Sequence, residues 1–188
     1  MNILLKLLSY VNKLLQYSER KASLRSAIDS GMVVGEFTKF VGTQNFGSEP
    51  YLIQFGENCL ITDQVGFNTH DGGIQVPMIK SGMKFSETYG QYSNFGRITV
   101  GDNVFIGTGT IILLKTRIGN NVLIAAGSVV KGIIPSDVVA GGVPATIICS
   151  IDEYFEKHKE ELCVLKNSNL NSDNRKKLII EHLDRSVK

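Results

Sequence analysis

Cysteine and histidine are scarce in this chain of 188 residues, three of each. Cys59, Cys149 and Cys163 show neither the close pairs of a disulfide framework nor the spacing of metal ligands. Nothing therefore points to an oxidising compartment. An excess of one charge is missing too: 20 basic against 18 acidic side chains leave a net charge of +2, which gives no reason to expect nucleic acid or a strongly anionic surface as partner. No apolar run is long enough to span a bilayer. Lys6 splits the apolar stretch at the N-terminus, where a secretory signal needs an uncharged core. These absences predict a cytoplasmic protein. The length allows one sizeable core, and no shift in composition marks a second.

What the chain does have is a period. Val100, Ile106, Ile112, Ile118, Ile124 and Val130 place an aliphatic residue at every sixth position, and Gly101, Gly107, Gly119 and Ala125 follow four of them. Four residues after each aliphatic stand Val104, Thr110, Thr116, Val122, Ser128 and Ile134, small or β-branched as a narrow interior requires. A helix fits poorly, because it needs apolar returns at three and four residues, and Asp102, Asn103, Asn120, Asn121 and the glycines interrupt any such face. Short strands joined by turns fit. Weaker repeats precede this run: Val34-Gly35 with Thr38, Phe55-Gly56 with Cys59, Ile61 with Val65, and Phe67 with Asp71. Cys59 falls on the small-residue row and reads as core.

Three segments lie outside the period. Residues 1 to about 20 form an amphipathic helix candidate, with Leu4, Leu7, Leu8, Val11, Leu14 and Leu15 on one stripe. Packing on the coil or a neighbouring subunit is favoured for it over contact with a membrane surface. Residues 74–97 carry Pro77, several glycines and Phe85, Tyr89, Tyr92 and Phe95 without any six-residue pattern, and a loop this long in a compact domain is usually functional or disordered. After Pro135, Gly141, Gly142 and Pro144 end the repeats, Ser150 and Glu153 make a capping-box pattern for a helix from Ile151 to about Leu165, covering the open end of the coil. A polar linker, Asn167 to Asn171, precedes a second short helix over Arg175 to Leu183. The expected organisation is a helical segment over 1–33, the coil domain over 34–149 and a helical cap and tail over 150–188.

The stretch GDNVFIGTGTIILLKTRIGNNVLIAAGSVVKGIIPSDVVAGGVPATII, with the upstream NTHDGG, resembles the hexapeptide-repeat acyltransferases, in the branch that O-acetylates sugars and capsular polysaccharide. The resemblance covers about residues 34 to 165. It implies a mainly β protein, a left-handed parallel β-helix assembled as a homotrimer with active sites between subunits. It also implies acetyl-CoA as the acetyl donor and a sugar or polysaccharide precursor as acceptor, with no metal.

His70 is the one histidine in the repeat region, and Gly72 and Gly73 let the chain leave the coil directly after it. Imidazole, with an ordinary pKa of about 6.5, suits removal of a hydroxyl proton near neutral pH. In the resembling family the histidine here is the general base. The family's oxyanion donor, a backbone N–H, matches Thr108, and the amide that meets the pantetheine of coenzyme A matches Ala126. Asn68 and Asp71 read either as acceptor-binding residues or as turn chemistry. Tyr89 and Tyr92 would stack on sugar rings or anchor the loop.

The sequence departs from the family pattern in the donor segment. Val129-Val130-Lys131-Gly132-Ile133 replaces the usual Val-Val-Thr-Lys-Asp, Thr146 stands where a basic residue is usual, and Leu114-Lys115 replaces a Pro-Gly turn. Lys131 either takes over a phosphate contact from a shifted position or is an ordinary solvated lysine. The chain has no tryptophan, where relatives often carry one just after the two glycines, so acceptor identity does not transfer. A zinc hydratase is excluded because one histidine cannot supply its ligand set. A nucleotidyltransferase is not expected, since the residues before the coil leave no room for a nucleotide-binding domain. Two alternatives stay open: an amino-sugar N-acetyltransferase, and a catalytically silent coil that serves as a binding or assembly module.

Overall fold

The computed structural model describes residues 3–165 and 172–186. The chain forms two compact units, Met1–Ile151 and Asp152–Lys188. In the first, short parallel strands stack into three faces. Val33–Val34, Ile53–Phe55, Ile98–Val100, Arg117–Ile118 and Ile133–Ile134 make the first face. The second stacks Lys39–Phe40, Leu60–Ile61, Val104–Ile106, Val122–Ile124 and Val138–Gly142; the third stacks Gln44–Asn45, Val65–Asn68, Ile111–Leu113 and Val129–Val130. The chain visits the faces in that order, coil after coil. Val104 pairs with Val122 and Ile111 with Val129, so one plain coil takes eighteen residues, three hexapeptides.

Both rows read from the sequence point inward. Val100, Ile106, Ile112, Ile118, Ile124 and Val130 are buried, and so are Val104, Thr110, Thr116, Val122, Ser128 and Ile134. Each buried aliphatic contributes roughly 1.5–3 kcal/mol by leaving water. The interior hydroxyls are paired: those of Thr110, Thr116 and Ser128 each donate at 2.6 Å to the carbonyl three residues earlier. That bond explains why Ser and Thr alternate with Val in this row, since all are small and none leaves an unsatisfied donor. Cys59 belongs to the same interior, buried, with its thiol against the Gly101 carbonyl and pushed up in pKa by that burial.

The N-terminal helix is longer than the sequence predicts. Helix α1 spans Ile3–Asp29, because Leu24 and Ala27 pack on the core and extend it past the expected end near residue 20. It stops in a Schellman arrangement, Met32 N–H to the Ala27 carbonyl and Gly31 N–H to the Ile28 carbonyl, with Met32 and Ala27 both in the core. Leu8 and Val11 of the predicted stripe are exposed. The side chains of Leu4, Leu7, Leu14 and Leu15 lie outside the described residues. Among those described, no helix is long and apolar enough to cross a membrane.

The long excursion is folded rather than an irregular loop. A 3₁₀ turn at Gly72–Ile74 leads into α2 (Gln75–Lys80) and α3 (Phe85–Thr88), and Asn94–Phe95 returns antiparallel to His70–Asp71. Its pieces are too short to show a helical period in sequence, and Thr88, fully buried, is their one buried residue. The repeats end in an antiparallel hairpin that the sequence does not signal. Val138–Gly142 adds a last rung to the second face and pairs with Ala145–Ser150 around a cis Val143–Pro144 bond. In the second unit, α4 (Ile151–His158) runs into a 3₁₀ turn at Lys159–Glu161, and α5 spans Ser172–Ser186, longer than predicted. The linker Asn167 to Asn171 lies outside the described residues.

Candidate active site

Departures from the eighteen-residue coil fall at one corner, where the third face turns into the first. Nine residues separate Asn45 from Gln54, against six from Ile111 to Arg117, which occupy the same two positions a later coil. Gly66 and Thr99 are 33 apart, the excursion filling the difference, and Val129 and Ile133 only four. A turn whose length is free to vary can carry side chains that the repeat itself cannot. The first insertion carries Glu49; the second leaves the coil at His70.

Those two residues touch. The Nδ1 of His70 lies 2.7 Å from Oε2 of Glu49, and the same oxygen accepts the hydroxyl of buried Thr69 at 2.8 Å. Burial pushes the Glu49 carboxyl up, but hydrogen bonds from His70, Thr69 and Ser48 and the attraction of the ring outweigh it, holding the group below the ordinary glutamate range. A carboxylate only accepts, so this contact assigns a proton to Nδ1, and in the neutral imidazole the Nε2 lone pair is then free. The Glu49 side chain is 14% exposed and that of His70 is 42%. The carboxylate is thus shielded while the imidazole meets solvent, an arrangement able to take a proton from a bound hydroxyl. Phe95, paired with His70 across the root of the excursion, sets its ring 6.0 Å away by centroid.

Glu49 was not legible as a site residue. Its one trace is a broken period, Phe40 and Phe46 being followed by Phe55 at nine residues instead of six. Glu49→Gln keeps the side chain's size but removes the charge that fixes the tautomer. Turnover should fall about 10- to 100-fold, the cost of one charge-assisted hydrogen bond, with the Michaelis constants little changed. Because folding lowers the Glu49 pKa, the carboxylate stabilises the fold above its ordinary 4.5 and loses that effect as pH falls through the folded value. Melting curves of wild type and Glu49→Gln should therefore differ at neutral pH and converge in acid.

The other sequence-predicted residues divide between two edges of the third face. Thr108 and Ala126 are stacked at the corner between the second and third faces: Gly127 N–H donates to the Thr108 carbonyl, and Gly109 N–H to that of Asp63. Both are exposed, and among the described residues neither N–H meets an acceptor in the chain. Lys131 sits at the opposite corner, on the His70 side, in the turn that is two residues short. Lys115, one coil nearer His70, is a second exposed cation there. From Asp63, beside Thr108, to His70 the chain crosses the whole third face along the strand Val65–Asn68, seven residues that reach at most about 23 Å at 3.3 Å per extended residue. His70 and Thr108 of one chain therefore stand at opposite edges of that face.

Asn68 is exposed on the third face, paired with Leu113. Asp71 accepts the Gly73 N–H at 2.7 Å, which is turn chemistry at the start of the excursion. Tyr89 and Tyr92 are exposed, and Tyr89 stacks on Phe85 at 5.1 Å. Among the described residues, the ring beside His70 is that of Phe95, not of either tyrosine.

Comparison with known proteins places this architecture. Residues 97–132 match the family model for the bacterial transferase hexapeptide (six repeats). The chain is 45% identical over 143 residues to Protein CapG of Staphylococcus aureus, covering 75% of this chain and 78% of that protein. It is 33% identical over 121 residues to the galactoside O-acetyltransferase of Escherichia coli K12, covering 62% of this chain but only 55% of that relative. Among solved structures, a maltose O-acetyltransferase from Clostridium difficile 630 superposes with a TM-score of 0.50 at 23% identity, covering 72% of this chain and 88% of that one, a likeness that shows the fold alone. A three-faced parallel coil with an eighteen-residue turn, matched in sequence across most of a relative's length, identifies the chain: it belongs to the bacterial hexapeptide-repeat transferases, an acyltransferase built on a left-handed parallel β-helix.

Proposed function

We propose that the chain transfers acetyl from acetyl-CoA to a hydroxyl of a sugar or polysaccharide precursor in the cytoplasm, with His70 as general base. The observation that carries this reading is the His70–Glu49 pair, whose free Nε2 stands at the root of the excursion. Nε2 accepts the acceptor's hydroxyl proton as the oxygen bonds to the thioester carbon. Backbone N–H of Thr108 stabilises the resulting oxyanion. The C–S bond then breaks, and the proton passes from Nε2 to the departing thiolate. No covalent enzyme intermediate is formed. Asn68, Asp71, Tyr89 and Tyr92 border the approach on the excursion side.

The separation of His70 from Thr108 supports a shared site. In a threefold ring the third face, whose outward column includes Gly66, Ile111 and Val129, packs toward neighbours, bringing the His70 edge of each chain against the Thr108 edge of the next. Acetyl-CoA fits the resulting groove through free backbone N–H groups at Thr108 and Ala126 on one wall and Lys115 and Lys131 on the other. Light scattering at micromolar concentration should give about three times the chain's 20.6 kDa; a monomer mass would contradict the shared site. Lys131→Ala should raise the Michaelis constant for acetyl-CoA more than it lowers turnover, because a phosphate contact is common to ground and transition states. The reading as a whole is tested by a panel of sugars and nucleotide sugars, scored for acetyl-CoA-dependent release of free thiol. Release that requires an added sugar is expected, and none across the panel would leave a binding or assembly role.

A further inference from the structure

At the N-terminal end of the Thr108 edge, α1 and the first coil enclose a cleft of about 410 Å³, within the roughly 300–1,000 Å³ of small-molecule sites. Its walls include Arg20 and Glu19 from the helix and Thr43, Gln44, Phe46 and Asp63 from the coil. Arg20 is the unusual member. Its Nε is buried and, among the described residues, has no hydrogen-bond partner, whereas buried donors in folded proteins are nearly always paired. Asp63 is the complement. Its Oδ1 takes the Thr43 N–H at 2.6 Å, the Thr43 hydroxyl at 2.9 Å and the Gln64 N–H at 3.0 Å, while Oδ2 takes none among the described residues. This carboxylate is held in place by Gly42, at φ 81°, where a Cβ would fall 2.2 Å from Oδ1.

An unpaired donor beside an unused acceptor selects the ligand's chemistry. An anion would satisfy Arg20 but would face two carboxylates, Asp63 and Glu19, with one guanidinium in the same cleft. A hydroxyl both accepts and donates, so a pair of neighbouring hydroxyls satisfies Arg20 and Asp63 together. We infer that this cleft is a subsite for a neutral saccharide, with Arg20 donating to one ring hydroxyl and Asp63 Oδ2 accepting from the next. Its role follows from the proposed transfer reaction, on which that role rests: Asp63 stacks beside Thr108, so in the shared groove the cleft lies across from His70 of the partner subunit. The saccharide held there is the acceptor, and residues of α1 take part in selecting it.

The test is saturation-transfer NMR on the assembled chain without acetyl-CoA, using methyl β-glucopyranoside, methyl β-galactopyranoside, N-acetylglucosamine and glucuronate. At least one neutral sugar should bind, with glucuronate at least tenfold weaker. Arg20→Gln and Asp63→Asn should each weaken that neutral sugar about 10- to 100-fold, as expected for a lost hydrogen bond to a charged group, and leave coenzyme A binding unchanged. Thermal melts check that both variants fold, and if Asp63→Asn does not, Arg20→Gln decides alone. Neutral-sugar binding that neither folded variant alters overturns the inference, as does the absence of any neutral-sugar binding. Tighter binding of glucuronate, lost in Arg20→Gln, also overturns it by making the cleft an anion site. Binding that follows these residues while no sugar supports thiol release would keep the subsite and sink the acetyl-transfer reading. Acetyl transfer with an unchanged acceptor Michaelis constant in both variants would do the reverse.

Discussion

Replacing His70 by alanine should lower turnover about 10²- to 10⁴-fold, the usual worth of a positioned general base. The loss should appear in kcat and in kcat/KM alike, because proton removal matters only as the acceptor oxygen attacks. The fold should survive. The His70 side chain is 42% exposed and is not in the buried core, and its main partner, Glu49, keeps the hydrogen bond from Thr69. Steady-state transfer and size exclusion on the same preparation separate the outcomes: near-normal turnover from a correctly assembled variant would remove His70 from the mechanism.

Thr108→Pro should cost about 10²- to 10³-fold in turnover, as removal of one oxyanion donor does elsewhere. Proline deletes the N–H, which meets no acceptor among the described residues, but it also fixes φ and restricts Gly107 before it, so size exclusion and a melt must show that the variant assembles. The Thr108 hydroxyl makes a 3.2 Å contact with that of Thr62, so Thr108→Val serves as control, losing the hydroxyl and keeping the N–H. Full activity in Thr108→Val with the loss confined to Thr108→Pro assigns the effect to the backbone. Equal losses in both would point instead to the hydroxyl contact and against an oxyanion role.

How far the sequence carries a reader depends on whether a residue obeys the repeat. Ile112 and Thr116 were placed correctly because a coil interior imposes the same steric demand every six residues, and the period survives without knowledge of any contact. His70 stands out in the sequence as a candidate because Gly72 and Gly73 let the chain leave the repeat directly after it. Glu49 does not, because its partner is 21 residues away and only the extra length of a turn brings them together. The excursion was hidden for a related reason: helices of six and four residues are too short for a period to emerge, and their ends are set by local bonds such as Asp71 to Gly73. Along α1 the expected end is near residue 20, yet Leu24 and Ala27 reach the core and carry the helix to Asp29. Tertiary packing sets its length there.

The sharing of one site between chains is tested most directly by mixing two defective variants. His70→Ala chains keep the Thr108 edge, and Thr108→Pro chains keep His70. Unfolded together at equal concentration and refolded, they should form mixed trimers in which about a quarter of the interfaces pair an intact His70 edge with an intact Thr108 edge. Transfer should then recover to about a quarter of the wild-type rate per chain, far above either variant alone. Mixed trimers, verified by mass, that are no more active than the separate variants would contradict a site built from the facing edges of neighbouring coils.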